Sequence, residues 1–116
     1  MDAQGRRLLG LLVKKLKDVI PGNPGTYMSY QDCHKELNLD KRGPTWGESL
    51  QHQGLNPVAD LTTEKGKPAI TGIIINRETL MPGDGYFNLF GKDPTDFAWW
   101  EEQVRLSKQY DWSQYL

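Results

Sequence analysis

One long apolar stretch near residue 70 constrains the fold more than any other part of the chain. Residues 67–76 contain four isoleucines, whose branched side chains suit a pleated strand. A turn with two glycines and a proline follows at 81–85, and an aromatic segment follows at 86–90. Glycine permits the positive backbone torsions that a tight reversal needs. The pattern therefore predicts an antiparallel β-hairpin with strands at 69–76 and 86–90.

Both faces of the first predicted strand carry apolar side chains. Ile73 and Ile75 alternate with Ile70 and Ile74, which places the two pairs on opposite faces. A strand that is apolar on both faces is normally covered on both. We therefore expect helices on the two sides of the hairpin, with Ile73 buried.

Two helical patterns precede the predicted hairpin. At 100° per residue, residues 3–20 place leucine, isoleucine and valine on one side and basic side chains on the other. Ser29 is a suitable N-cap for a second helix over residues 30–37, because it is followed three positions later by an acid. Cys33, the single cysteine, is expected to be a buried thiol in that helix.

Three further helices are predicted from their first residues. Thr45 is followed by an acid three positions later, as in a capping box. Asn56 precedes a proline and is expected to cap a helix that ends at Gly66. Asp93 likewise precedes a proline and is expected to cap the last helix. The predicted order is therefore helices, hairpin and helix.

The composition limits the possible classes of protein. The chain has 116 residues, enough for one domain over residues 1–116, and its net charge is −1. The charge is uneven, because residues 1–42 are basic and residues 93–116 are acidic. One cysteine cannot form an intrachain disulfide, which favours the reducing cytoplasm. No apolar run approaches the length that spans a bilayer, so we expect no membrane partner.

The predicted order of elements is that of a winged helix-turn-helix, an α+β fold with helices around one antiparallel hairpin. Residues 66–76 and 81–87 also resemble a group of short, mostly uncharacterised bacterial and phage proteins of winged-helix-like organisation. In that group a glycine and a proline precede an apolar strand, and an asparagine, a loop and a Pro-Gly-x-Gly-aromatic return follow it. The resemblance covers residues 26–90. It implies a cytoplasmic module associated with nucleic acid or with defence.

Basic side chains outside the predicted recognition helix are the candidates for nucleic-acid contact. The helix from Pro57 to Lys65 would be the recognition helix, but Asp60 and Glu64 on it would repel phosphate. The basic side chains lie instead on the first helix and on two loops. The predicted nucleic-acid-binding residues are Arg6, Arg7, Lys14, Lys17, Lys41, Arg42 and Arg77.

Aromatic side chains near the C-terminus are the candidates for protein contact, since tryptophan and tyrosine are enriched in interface hot spots. The predicted partner-binding residues are Trp99, Trp100, Tyr110 and Trp112. The first two lie 100° apart on a helix, so one is expected to pack on the hairpin and the other to meet a second chain. That chain could be a different protein or a second copy.

No motif for catalysis, for a cofactor or for a metal is recognisable. Cys33 and His34 are neighbours and diverge on a helix, while His34 and His52 lack the spacing of metal ligands. We therefore expect a non-enzymatic binding protein without cofactor or metal. The first interpretation is a small DNA-associated protein of bacterial or phage origin. The alternative is an inhibitor or adaptor, of the anti-defence or immunity type, that uses the same fold to bind protein.

Overall fold

The computed structural model describes residues 1–116. It contains six α-helices and two short strands. The helices are α1 Ala3–Lys15, α2 Tyr30–Leu37, α3 Trp46–Leu50, α4 Asn56–Leu61, α5 Asp84–Leu89 and α6 Phe97–Gln109, and the strands are β1 Met28–Ser29 and β2 Ile74–Ile75. None of the helices combines the length and the apolar character that crossing a bilayer requires.

The N-terminal helix forms largely as its pattern predicts. Asp2 caps α1, because its Oδ1 accepts a hydrogen bond of 2.7 Å from the Gly5 amide. A short 3₁₀ turn at Leu16–Asp18 continues α1, so helical backbone covers most of the predicted range 3–20. The inner face of this region contributes Leu8, Leu9, Leu12, Leu16 and Val19 to the core.

The second helix has the predicted bounds and the predicted cap. Ser29 Oγ accepts a hydrogen bond of 2.9 Å from the Asp32 amide, and Asp32 Oδ2 accepts one of 3.1 Å from the Ser29 amide. These two bonds form a complete capping box. Cys33 is fully buried, as predicted, and its burial raises the pKa of the thiol to about 12.

The predicted antiparallel hairpin is wrong. The only sheet pairs β1 with β2 in parallel, with Met28 opposite Ile74 and Ser29 opposite Ile75. β2 therefore pairs with a strand from the first third of the chain and has no partner at 86–90. The fold is α+β, but it is not the winged helix-turn-helix that we predicted, since a wing is an antiparallel hairpin.

The second predicted strand is helical because a helix collects its aromatic side chains on one side. In α5 and just after it, Tyr86 and Phe87 are buried and Phe90 is half-buried, whereas Asn88 and Leu89 are exposed. A strand alternates its faces, so it would place Asn88 beside Tyr86 and Phe90 and turn Phe87 away. Helical spacing leaves only Asn88 and Leu89 of residues 86–90 in solvent.

The chain does reverse after β2, but earlier than predicted. Two backbone hydrogen bonds of 2.8 Å close the loop, from the Asn76 amide to the Met81 carbonyl and from the Leu80 amide to the Asn76 carbonyl. Leu80 adopts the left-handed conformation there, with φ of 59°. Gly83 has φ of −62° and precedes α5 as its N-cap. The predicted turn at 81–85 therefore contains the cap and the first two residues of a helix.

Half of the predicted first strand, residues 70–73, is a buried turn of 3₁₀ helix and not a strand. The turn Ile70–Ile73 precedes β2. Side chains of later helices donate hydrogen bonds to backbone carbonyls in and next to this turn. The Tyr86 hydroxyl donates to the Ala69 carbonyl at 3.0 Å, and Trp100 Nε1 donates to the Gly72 carbonyl at 2.8 Å. These bonds replace those that a second strand would have supplied.

The buried apolar side chains form one continuous cluster of 21 residues. It draws on all six helices and on both strands, so the helices surround the apolar stretch on several sides. Ile73 is completely buried at its centre, as predicted, although its segment is not part of a hairpin. Each helix therefore contributes one apolar face to a shared core.

The middle helices follow the prediction in part. Thr45 caps α3, with its Oγ1 accepting a hydrogen bond of 3.1 Å from the Glu48 amide. Asn56 does not cap α4, because the chain enters that helix from a wide turn that kinks at Gly54, where φ is 123°. α4 ends at Leu61, which is earlier than predicted.

The last helix begins three residues later than predicted. Asp96 caps α6, and its Oδ1 accepts a hydrogen bond of 3.1 Å from the Trp99 amide. Asp93 Oδ1 instead accepts a bond of 2.8 Å from the Thr95 amide, which forms a local turn before the helix. The predicted cap at Asp93 is therefore wrong, because Asp96, three residues later, has the same capping chemistry.

Candidate functional site

The solvent side of α1 carries a row of basic side chains. Arg6, Arg7 and Lys14 lie on α1, Lys17 lies in the turn after it, and all four are exposed. At 100° per residue they fall within an arc of about 100°. The segment from Ala3 to Lys17 contains no acidic residue. We call the four side chains the basic face.

No carboxylate neutralises the basic face. The structure contains three ion pairs, and all of them lie elsewhere: Glu64–Lys67, Asp32–Arg77 and Glu102–Arg105. One side chain of the face has a defined partner, because Arg7 Nη2 donates a hydrogen bond of 2.8 Å to the Leu37 carbonyl. A guanidinium has five N–H donors, so Arg7 keeps others for a ligand.

Lys41 and Arg42 lie on the exposed loop between α2 and α3. Lys41 Nζ is 5.0 Å from the centre of the Trp46 ring, a cation–π distance. The Arg42 amide donates a hydrogen bond of 2.7 Å to Ser49 Oγ, which holds the loop against α3. Both side chains are exposed, and Lys41 also lines a groove whose walls include α3, α4 and α5.

Arg77 follows β2 and is engaged within the chain. Its Nη2 donates a hydrogen bond of 2.8 Å to Asp32 Oδ1 and another of 3.2 Å to Ser29 Oγ. Desolvation alone would raise the pKa of Asp32, but the bonds from Ser29 and Arg77 outweigh it and lower that pKa. Arg77 therefore contributes little free positive charge to the surface.

Two of the predicted partner-binding aromatics are buried. Trp100 and Trp112 lie in the core, and both indole N–H groups have backbone acceptors. Trp100 Nε1 donates to the Gly72 carbonyl at 2.8 Å, and Trp112 Nε1 donates to the Ser107 carbonyl at 2.9 Å. Neither indole is accessible to another protein in this structure.

The other two predicted aromatics are half-buried against neighbours. The Trp99 ring centre is 5.3 Å from that of Tyr86 and 5.4 Å from that of Phe90. The Tyr110 ring centre is 4.5 Å from that of Trp112. All four predicted residues therefore pack within the chain.

A groove with a volume of 740 Å³ opens at the C-terminal ends of the two parallel strands. Its walls come from the first turn of α2, the start of α3, α4, the segment after β2 and the start of α5. We call it the strand-end groove. In parallel sheets, ligands commonly bind in a crevice outside this end of the strands. No residue of α1 lines it.

Tyr30 joins the walls of the strand-end groove. Its hydroxyl accepts a hydrogen bond of 2.9 Å from the Gly83 amide. Its ring lies against Gly47 of α3, where an added Cβ would stand 3.9 Å from the ring. Burial raises the pKa of the Tyr30 hydroxyl, which therefore stays protonated at neutral pH. One side chain of α2 thus contacts both α3 and the segment before α5.

The strand-end groove carries more negative charge than positive. Four carboxylates line it without an ion-pair partner: Glu48, Asp60, Glu78 and Asp84. Two cations line it, Lys41 and Arg77, and Asp32 already pairs with Arg77. The groove therefore disfavours phosphate and favours positively charged ligands.

One serine–histidine pair is present, but it is buried. His34 Nε2 is 2.8 Å from Ser49 Oγ, and His34 Nδ1 is 2.8 Å from the Tyr30 carbonyl oxygen. The exposed fractions of His34 and Ser49 are 2% and 0%. No substrate reaches this serine, so the pair joins α2 to α3. No three His, Cys, Asp or Glu side chains are grouped to hold a metal.

Sequence reasoning missed the strand-end groove because distant segments form it. Tyr30 and Gly83, which meet in its wall, are 53 positions apart in the chain. Nothing in the local pattern around Tyr30 or Trp46 indicates a groove. The acidic character of the α4 segment at Asp60 is the one signal that pointed away from phosphate at this place.

No protein-family description, no curated protein and no solved structure matches the chain. The resemblance to winged-helix-like bacterial and phage proteins stays a prediction. The basic face and the strand-end groove are the two surface features of the chain that bear on its function.

Proposed function

We propose that this chain is a non-enzymatic, DNA-associated protein that binds the phosphate backbone through the basic face of α1. The observation that carries the proposal is the row of exposed basic side chains that no carboxylate neutralises. Phosphate attraction supplies essentially all of non-specific DNA affinity. The row from Arg6 to Lys17 extends about 16 Å at the rise of an α-helix, so several phosphates are within its reach.

The proposed binding is independent of base sequence. α4, which we expected to be part of the recognition helix, has six residues, and its Asp60 lines the acidic groove. Lys41 and Arg77 also line that groove and are left out of the proposed surface. Contacts to phosphate position a protein on DNA, but they carry no sequence information.

The alternative, an inhibitor or adaptor that binds protein through the aromatic C-terminal helix, has less support. It depends on exposed indoles, and Trp100 and Trp112 are buried. Phe97 is the large apolar side chain of α6 that stays open to solvent, with an exposed fraction of 52%. A single exposed ring is ordinary for a protein surface and does not define an interface.

A pair of matched charge reversals tests the proposal. The double variant Lys14→Glu/Lys17→Glu alters the basic face, and Lys65→Glu/Lys92→Glu alters two lysines outside α1 that have no ion-pair partner. Both doubles change the net charge by the same amount. We expect wild-type binding to a fluorescent duplex to weaken with salt. The logarithm of its binding constant should fall against the logarithm of the salt concentration with a slope of about −3.6, the value for four phosphate contacts.

The first double variant should bind more than tenfold more weakly at low salt, and its salt slope should be smaller by about two. The control double should keep the wild-type slope. Absence of wild-type binding at low ionic strength would overturn the proposal. Equal losses in both doubles would also overturn it, because net charge and not the basic face would then govern binding.

A further inference from the structure

We propose that the strand-end groove binds a short segment of a partner protein that carries arginine side chains. This inference goes beyond DNA binding and rests on separate residues, because no residue of α1 lines the groove. It is supported by the charge of the groove, by its aromatic wall and by its size.

The charge of the groove selects a cation. Its four carboxylates have no ion-pair partner, and Asp32 holds one of its two cations, Arg77. The Glu48 and Asp60 side chains also accept no hydrogen bond from within the chain. These two carboxylates are therefore free to accept charge-assisted hydrogen bonds from a guanidinium, which presents its donors as a planar fork.

The aromatic wall already holds a cation from the chain itself. Lys41 Nζ lies 5.0 Å from the centre of the half-buried Trp46 ring. Tryptophan is the best aromatic partner for a cation, and arginine is the more common partner than lysine. We infer that an arginine of the partner displaces Lys41 from Trp46, while Lys41 moves into solvent on its flexible stem.

The size of the groove indicates a peptide segment and not a small cation. Its volume of 740 Å³ lies within the range of drug-sized ligand sites and far exceeds one guanidinium group. The four carboxylates come from α3, α4, the turn after β2 and the start of α5, so they surround the groove on several sides. A segment with two separated arginines could pair with more than one of them.

An NMR titration with two peptides of opposite charge tests the inference. The probe is acetyl-Gly-Arg-Gly-Arg-Gly-amide, and the comparison peptide has glutamate in place of arginine. We expect saturable shifts with the arginine peptide in the millimolar range, largest at the Trp46 indole and at the Gly47 and Gly83 amides. The glutamate peptide should cause no saturable shift there.

Matched variants separate the groove from general charge effects. Glu48→Gln/Asp60→Asn should weaken peptide binding roughly fivefold, the effect of two partly exposed ion pairs. The control Glu36→Gln/Glu101→Gln removes two exposed carboxylates outside the groove and should bind as wild type does. Lys41→Gln removes the competing cation and should tighten binding about twofold, on the scale of one exposed cation–π contact.

Three results would overturn the inference. The first is the absence of saturable shifts at the groove with the arginine peptide. The second is an equal loss of peptide affinity in the groove variant Glu48→Gln/Asp60→Asn and in the control variant Glu36→Gln/Glu101→Gln. The third is binding of free agmatine as tight as that of the peptide, which would indicate a small-cation site. None of these results affects the DNA proposal, because the basic face does not enter the experiment.

Discussion

At the scale of single residues, the core leaves no room for a side chain at Gly72, because Tyr86 and Trp100 pack directly against its backbone. A Cβ added there would stand 2.4 Å from the Tyr86 hydroxyl and 3.0 Å from Cδ1 of Trp100. Both aromatics hydrogen-bond to the backbone of this segment, so neither can withdraw without losing a bond. Glycine is therefore required here for close packing and not for backbone torsion.

Replacing Gly72 with alanine is expected to lower the free energy of unfolding by about 1–3 kcal/mol, the usual cost of overpacking a core. The matched control is Gly85→Ala, because a Cβ at Gly85 meets nothing within 4 Å and the residue lies in α5. That control should leave stability unchanged or raise it slightly. Urea unfolding of both variants measures the difference, and equal stabilities would contradict the packing described here.

Cys33 gives a second prediction at this scale. Its thiol is fully buried and its pKa is raised to about 12, so little reactive thiolate exists at pH 8. We expect a thiol reagent to label the folded protein at a rate set by unfolding, and to label the denatured protein rapidly. Labelling at equal rates with and without denaturant would show that Cys33 is accessible in the native state.

At the scale of elements, local signals were predictable and long-range pairing was not. α1 follows from its apolar spacing and α2 from its predicted Ser29 cap, which forms as a hydrogen bond. The apolar stretch was misassigned because its partners are remote in sequence: β1 pairs with β2, and Trp100 is 28 positions from Gly72. No local pattern indicates that side chains of later helices donate hydrogen bonds to the backbone carbonyls of this stretch.

The α2 cap supports a pH-dependent prediction. The lowered pKa of Asp32 means that its charged form stabilises the folded state. This contribution is present above the ordinary carboxyl pKa of 3.8 and is lost as the pH falls through the lowered folded value. Asp32→Asn should therefore cost about 0.5 kcal/mol at pH 7, because the ion pair with Arg77 is partly exposed, and almost nothing near pH 2.

Urea unfolding of the wild type and of Asp32→Asn across this pH range measures the effect. Asp40→Asn is the control, since Asp40 is an exposed carboxylate without an ion-pair partner. A stability difference for Asp32→Asn that stays constant down to pH 2 would show that the charge of Asp32 is not its source.

At the scale of the whole molecule, the chain presents a basic surface and an acidic one. The basic surface was predictable in part, because Arg6, Arg7, Lys14 and Lys17 share one side of a helix whose pattern is local. The acidic groove was not, because its carboxylates meet only when α3, α4, α5 and the turn after β2 come together. Side chains that belong to one helix can be grouped from sequence, and side chains grouped by tertiary folding cannot.

The central claim, that the basic face of α1 is the DNA-binding surface, is tested most directly by an NMR titration with a short duplex at low salt. We predict that the backbone amides from Arg6 to Lys17 shift and that added salt reverses the shifts. The Trp46 indole and the Gly83 amide, which report on the strand-end groove, should stay unchanged. Shifts concentrated at that groove or on α6, or no saturable shifts at all, would contradict the claim.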